Sequence, residues 1–311
     1  MTRRLGQPRD RVAGADSAAS PPPIALADGA LWALAHPYEL DGRVSTHAAD
    51  ARGFAPMNSY LLVEGDAALL VDTGLSVHEH ALIAQLEALL PADATLSLLP
   101  TRIGEFAPIC NVRALVERFA TGTLYGSQGD PALWVDFRPE HAPYGSPTRQ
   151  GAMADLDVAL LSGATTLTVD PGGVRVVDCF PAPLRLLPAF WAYDRATRTL
   201  FTADAFTHAW RADERGPWVV RDVDDAPDAA AVCAHMTRSR FWWLAGADTR
   251  LIAEQIADVF ATHEVETIAP AFGCVLHGRD VARRHHELLQ EALELAGAAP
   301  SVGVAAGRWV A

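Results

Sequence analysis

Two apolar runs, Ser59-Tyr-Leu-Leu-Val-Glu64 and Ala67-Ala-Leu-Leu-Val-Asp72, are separated only by Gly65-Asp66. That spacing constrains the chain more than any other local feature. Two β-rich runs joined by a two-residue Gly-Asp turn predict a β-hairpin, because Gly supplies the left-handed backbone such a turn requires. Thr73-Gly74 then breaks the second strand.

A helix follows. Ser76 and Glu79 have the S-x-x-E spacing of a capping box, Leu82, Leu86, Leu89 and Leu90 fall on one face, and Pro91 stops it. Next come a short strand at Thr95–Leu99, a loop from Pro100 to Cys110, and a helix with Asn111 as its cap and Val112, Leu115 and Phe119 as its buried stripe. Residues 121–165 are rich in Gly, Pro, Ser and aromatics (Trp134, Phe137, Tyr144), and read as a long ordered excursion with a little helix near Met153. Strands are predicted at Thr165–Val169, Val174–Asp178, Phe190–Tyr193 and Thr199–Thr202. Helices are predicted at Arg250–Ala261 and Asp280–Ala296, with Thr267–Cys274 between them as a strand running into a loop. This succession predicts two sheets packed together with helices outside. Residues 1–25, ending in Pro21-Pro-Pro23, read as a disordered leader, and 26–311 as one domain.

Composition narrows the partners. The formal net charge of −13 and a pI near 5.2 argue against nucleic acid, whose phosphates require clustered Lys and Arg. No apolar run suits a signal peptide or a membrane span. The four cysteines (Cys110, Cys179, Cys233, Cys274) are widely spaced, which predicts neither a disulfide framework nor a zinc ribbon. A cytoplasmic, reduced protein is the expectation.

Asn58-Ser-Tyr-Leu-Leu-Val with Leu70-Val-Asp-Thr-Gly74, then Leu200-Phe-Thr-Ala-Asp204 and Ile268-Ala-Pro-Ala-Phe-Gly273, together resemble the metallo-β-lactamase superfamily in order and spacing. Asp204-Ala-Phe-Thr-His208 and Arg240-Phe-Trp-Trp-Leu are most similar to its flavodiiron branch, although His208 matches only approximately, one residue short. The resemblance spans about Ala25 to Ala296 and implies a four-layer αββα sandwich of the α/β class. It places Asp204 at the metal-bridging aspartate and the first ligand cluster at Thr101–Ala107. There the chain carries Arg102, Gly104, Phe106 and Ala107, and Phe272 stands at the final histidine. No histidine lies in Pro183–Pro188, where a middle ligand is implied. One carboxylate cannot hold two ions, and a fixed positive charge at a ligand position repels a cation. Neither dinuclear iron nor zinc, nor any other cofactor, is therefore expected. The chain ends soon after this stretch, so no flavin domain is expected either.

The candidate residues follow from that comparison. Arg102 is expected to pair with Glu105 or Asp204, or to grip a ligand carboxylate or phosphate as a two-pronged donor. Glu105, Asp204 and His208 are the candidate proton-moving groups, and Phe106, Phe272 and Trp191 would line a dry pocket. His208 is equally compatible with a backbone-bonded loop histidine. His277 with Cys274 is a weak metal pair, Cys110 and Cys274 are weak nucleophile candidates, and His78, His80, His285 and His286 read as surface residues. The leading expectation is a protein that binds or transforms a small organic molecule, anionic or not, without a dinuclear metal. The alternatives are a non-catalytic partner of a related enzyme and a mononuclear hydrolase or oxidoreductase with atypical ligands. No membrane partner is expected; a homo-oligomer and a related protein partner both remain open.

Overall fold

A computed structural model describes residues 21–127 and 153–301. Seven strands form the first sheet in chain order: β1 (Ile24–Ala27), β2 (Leu31–Glu39), β3 (Phe54–Glu64), β4 (Ala67–Val71), β5 (Thr95–Leu99), β6 (Thr121–Gly126) and β7 (Asp157–Leu160). The second sheet holds β8 (Thr165–Thr168), β9 (Val176–Pro181), β10 (Phe190–Asp194), β11 (Thr199–Phe201), β12 (Val219–Val220), β13 (Thr267–Ala269) and β14 (Val275–His277), in the order β12-β14-β13-β11-β10-β9-β8. The helices are α1 (Glu79–Leu89), α2 (Phe106–Ile109), α3 (Val112–Arg118), α4 (Ala229–Thr237), α5 (Arg250–Thr262) and α6 (Arg279–Ala298).

The predicted hairpin is β3–β4, with Glu64 opposite Ala67 and Gly65 at φ +59°. Alternation along β4 sorts its side chains into two layers. Leu69 and Val71 pack between the sheets with Tyr60, Leu62, Phe190, Phe201 and Val275. Ala68 and Leu70 turn outward onto Leu82, Leu86, Val112 and Leu115 of α1 and α3. The outer face of the second sheet carries Trp191, Leu200, Ile268 and Leu276, covered by Val232 and Met236 of α4 and Leu288, Leu289 and Leu293 of α6. The result is helix, sheet, sheet, helix.

Several local expectations differ from the structure. Ser76 lies inside a 3-10 turn, Ser76–His78, and no side chain caps that turn or α1, so the capping box does not form. Asn111 precedes α3 but leaves its helix uncapped; its amide donates to the carbonyls of Thr73 (2.7 Å) and Leu75 (3.0 Å) instead. Both ends of the expected excursion over 121–165 are instead strands, β6 and β7, because parallel pairing of β6 to β5 and of β7 to β6 supplies hydrogen bonds that the Gly-rich sequence does not advertise. Residues 128–152, with Trp134, Phe137 and Tyr144, lie outside the described residues, as does the leader up to residue 20; Ile24 and Ala25 at its expected end belong to β1.

The two sheets are stitched by buried polar groups. Asn58 Nδ2 donates to the carbonyls of Pro270 (2.9 Å) and Gly273 (2.8 Å), and Tyr60 Oη to Pro270 (2.7 Å). The backbones of Met57 and Phe272 form an isolated bridge. The loop after β13 is thereby held against β3, and Gly273 makes it possible. At φ +84°, an added Cβ would sit 2.8–2.9 Å from the carbonyl oxygens of Ala209 and Thr207. Gly273→Ala is expected to cost about 1–3 kcal/mol in stability. An unchanged urea midpoint would contradict this close approach.

Candidate functional site

β4 and β5 run parallel, with Val71 opposite Leu99, so their C-terminal ends deliver Asp72 and Thr101 side by side. β11 and β13 are likewise parallel, with Phe201 opposite Ala269, and deliver Asp204 beside the Pro270–Gly273 loop. Asp72 (φ +57°) and Ala203 (φ +50°) take the left-handed backbone that turns each chain sharply off its strand. The Asp72 carboxylate accepts from Thr101 N (2.7 Å) and Thr101 Oγ1 (2.9 and 3.0 Å).

Arg102 enters this convergence with no solvent exposure. Its Nε lies 3.3 Å from Glu105 Oε2 and 3.4 Å from Asp204 Oδ1, its Nη2 lies 3.7 Å from Asp72 Oδ2, and its Nη1 donates to Thr101 Oγ1 (3.2 Å). Arg240, on the turn after α4, closes the other side. Its Nη1 donates to both oxygens of Glu105 (2.9 and 2.8 Å) and sits 2.8 Å from Asp204 Oδ1. Both guanidinium carbons lie near the Phe272 ring, 5.8 and 5.9 Å from its centroid, within cation–π range. Burial opposes the charge of each guanidinium, but the surrounding carboxylates outweigh it and raise both pKa values. Burial raises the Asp72 carboxyl, against the pull of Arg102 and the Thr101 hydrogen bonds. Two fixed cations face three carboxyl groups.

Sequence reasoning put Arg102, Glu105, Asp204 and Phe272 together, and the structure does so. It missed Asp72 as a member and Arg240 as the second cation. The strand-terminal carboxylate of Asp72-Thr73-Gly74 was the available signal for the first. Arg240 stood in an otherwise aromatic stretch that brings no attention to its charge.

The other candidates lie elsewhere. Phe106 is 66% exposed on α2, whose buried side is formed by Ala107, Pro108 and Ile109, so it does not line a dry pocket. Trp191 is buried between the second sheet and the helices, 6.2 Å from the Phe206 ring. His208 bonds not to Asp204 but to His285, Nε2 to Nδ1 at 2.8 Å. His285 is fully buried rather than a surface residue, because α6 turns it inward with Leu288 and Leu289. His78 is half-buried and stacked on His36, and His286 is half-buried against Phe260; His80 is exposed. His277 pairs with Thr267 Oγ1 (2.9 Å). Burial pushes the Cys274 thiol up to about 12 and raises that of Cys110, which makes neither a ready nucleophile at neutral pH.

A second buried polar group neighbours the charges: Tyr38 Oη is 3.2 Å from His47 Nδ1, and Thr207 Oγ1 is 2.9 Å from His235 Nε2. Burial lowers His47 to about 3 and His235 and His285 to about 4, and holds His208 well below 6.5, with His285 adding to the effect there.

The donor set does not suit a metal pair. Each of the three carboxylates already faces a guanidinium, and among the described residues no group of three or more His, Cys, Asp or Glu side chains is placed to hold a metal ion.

No protein-family model matches the sequence, and no curated protein is significantly similar to it. Solved structures are similar in fold. Rubredoxin oxygen:oxidoreductase from Desulfovibrio gigas superimposes with a TM-score of 0.60 at 16% identity, covering 88% of this chain and 61% of that one. The flavodiiron protein from Giardia intestinalis gives 0.59 at 15% identity, covering 87% and 59%. The fold is that of the flavodiiron lactamase-like core. The apo state of the chemotaxis sensor ODP from T. denticola is also similar in fold, with a TM-score of 0.52 at 15% identity over 82% of this chain and 93% of that one. The chain spans about three-fifths of the length of the first two flavodiiron structures. Among the described residues, no helix is long and apolar enough to cross a membrane.

Within this lactamase-like core, Arg102→Met leaves buried carboxylates without their central cation. A loss of about 3–5 kcal/mol in stability is expected, and a urea midpoint within error of the parent would refute the pairing. The buried histidines set a pH dependence. They stay neutral in the folded chain but protonate in the unfolded one, so stability falls as pH drops below about 6.5. Each such histidine contributes about 1.4 kcal/mol per pH unit. A flat stability profile between about pH 7 and pH 5 would contradict their burial.

Proposed function

We propose that this chain is a binding protein on a flavodiiron-type core, working without a dinuclear metal centre and without the redox chemistry such a centre supports. The observation that carries this reading is Arg102, unexposed and spanning Asp72, Glu105 and Asp204. The guanidinium groups of Arg102 and Arg240 take up the carboxylates that a metal pair would need, and they do so as fixed cations. Fold likeness adds support for the resemblance that puts Arg102 and Phe272 at ligand positions of that core.

The same geometry bears on what is bound. Three carboxyl groups against two guanidiniums give the cluster no surplus positive charge, and Arg102 has no face left to solvent. An anionic ligand therefore gains little here, and the cluster serves as a structural keystone. A small organic molecule bound at another surface of the core fits this arrangement.

The test is metal content. The purified chain, incubated anaerobically with ferrous iron or with zinc and then desalted, is expected to retain well below one equivalent of metal per chain. The same result is expected for Asp204→Ala. Stoichiometric iron or zinc that disappears in Asp204→Ala would overturn the reading.

A further inference from the structure

β1 and β12 are edge strands, each with a neighbour on one side only. They come together at one end of the sandwich, where Ile24 and Val219 line a cleft of about 730 Å³. Ile24 packs against both the layer between the sheets and the layer under α4 and α6. The cleft therefore opens where two apolar layers reach the surface. Pro37, Pro217 and Trp218 complete its apolar wall, and the Trp218 carbonyl is held by Val275 N at 2.9 Å.

One charged group on this cleft differs from all its counterparts. The chain has no lysine, so arginine carries its fixed positive side-chain charge. Every other described arginine forms at least one hydrogen bond or ion pair. Among the described residues, Arg221 alone forms neither, and it stands exposed on the cleft just after β12. The other two arginines of the lining are committed, Arg211 to Asp225 (2.8 Å) and Arg215 to Asp213 (3.0 and 2.9 Å). Two other clefts, of about 520 and 460 Å³, carry one arginine each. Those are Arg215 and Arg250, and each is tied to the aspartate two residues before it.

The chemistry of the lining selects a guest. A guanidinium with its whole fork free suits a carboxylate, which it can grip with two parallel hydrogen bonds. The apolar wall suits a flat hydrocarbon body beside that carboxylate. The acids of the lining orient such a guest. Asp225 is neutralised by Arg211, and Asp222 accepts from Asp224 N at 3.0 Å. Glu214, on the loop before β12, has no ion pair and disfavours an anion on its own side. The carboxylate is left with Arg221.

We propose that this cleft binds an aromatic monocarboxylate, with the ring on Ile24, Trp218 and Val219 and the carboxylate on Arg221. The proposal rests on the reading of a binding protein and names the ligand class for it, at a place separate from the buried charge cluster. The test titrates the full chain by calorimetry with 2-naphthoate, and with 2-naphthamide as its uncharged isostere. Naphthoate should saturate a single site, and naphthamide should bind at least about tenfold more weakly. Arg221→Met keeps an apolar stem and should weaken naphthoate by about tenfold, to the level of naphthamide. Its melting temperature should match the parent's, since Arg221 holds nothing else in place. Arg221→Glu should abolish binding, and Arg250→Gln, in the 460 Å³ cleft, should leave it unchanged. Non-saturating heats, equal affinity for naphthamide, or full affinity in Arg221→Met would each overturn the proposal. Metal retention is measured on the same protein without naphthoate. A chain that retains iron or zinc yet binds naphthoate through Arg221 loses the metal-free reading and keeps this site, and the reverse result does the opposite.

Discussion

The Arg102 guanidinium cannot shed its proton, so taking it fully out of water forces the chain to surround it with acids. Asp72 comes from the first sheet, Asp204 from the second, and Glu105 from the loop that follows Arg102 itself. Each of those acids would be costly to bury alone, and Asp72 and Glu105 further depend on Thr101 and Arg240 for hydrogen bonds. The arrangement is mutually dependent: removal of Arg102 takes away the guanidinium that Asp72 faces and leaves Glu105 and Asp204 to share Arg240 alone. A well-packed apolar filling could be comparably stable. What the ions add is direction, since a carboxylate and a guanidinium meet in few geometries and hold the strand ends in one register.

The same solution recurs lower in the sandwich. Arg175, 1% exposed, pairs with Asp194 of β10 (2.6 Å) and donates to the carbonyls of Ala30 (2.6 Å) and Val63 (2.9 Å) across the sheet interface. Asn58 and Tyr60 stitch the opposite end of β3 to the loop after β13. Between these polar ties lies an apolar layer from both sheets. Hydrophobic burial brings the sheets together, and the buried polar bonds decide how they sit.

Much of the fold was legible because its signals are local. The Gly65-Asp66 turn, the β runs around it, and the periodic apolar stripes of α5 and α6 each lie within a short window. The capping box at Ser76 failed for a related reason. Its pattern is local, but the chain entering the helix is held by Asn111 to Thr73 and Leu75, and tightens into a 3-10 turn. Of the candidate site, Arg102, Glu105, Asp204 and Phe272 could be grouped from the order of segments. Arg240 was passed over although its segment, Arg240-Phe-Trp-Trp-Leu, belongs to the same resemblance, because nothing in that aromatic stretch ties its charge to Glu105. Phe106 shows the limit from the other side: adjacency to Glu105 says nothing about which way a residue on a one-turn helix points.

The sequence by itself determined the α/β layering and the residues that stand at the strand ends, because alternation, turn chemistry and strand breaks are properties of neighbours along the chain. It also supplied an arginine and a phenylalanine where the resemblance implies metal ligands. Only the tertiary structure decided what that arginine does. Whether Arg102 met a ligand, a metal or a ring of acids depended on where Asp72, Asp204 and Arg240 arrive from distant segments. Electrostatic partnership follows distance in space, and sequence separation does not measure it.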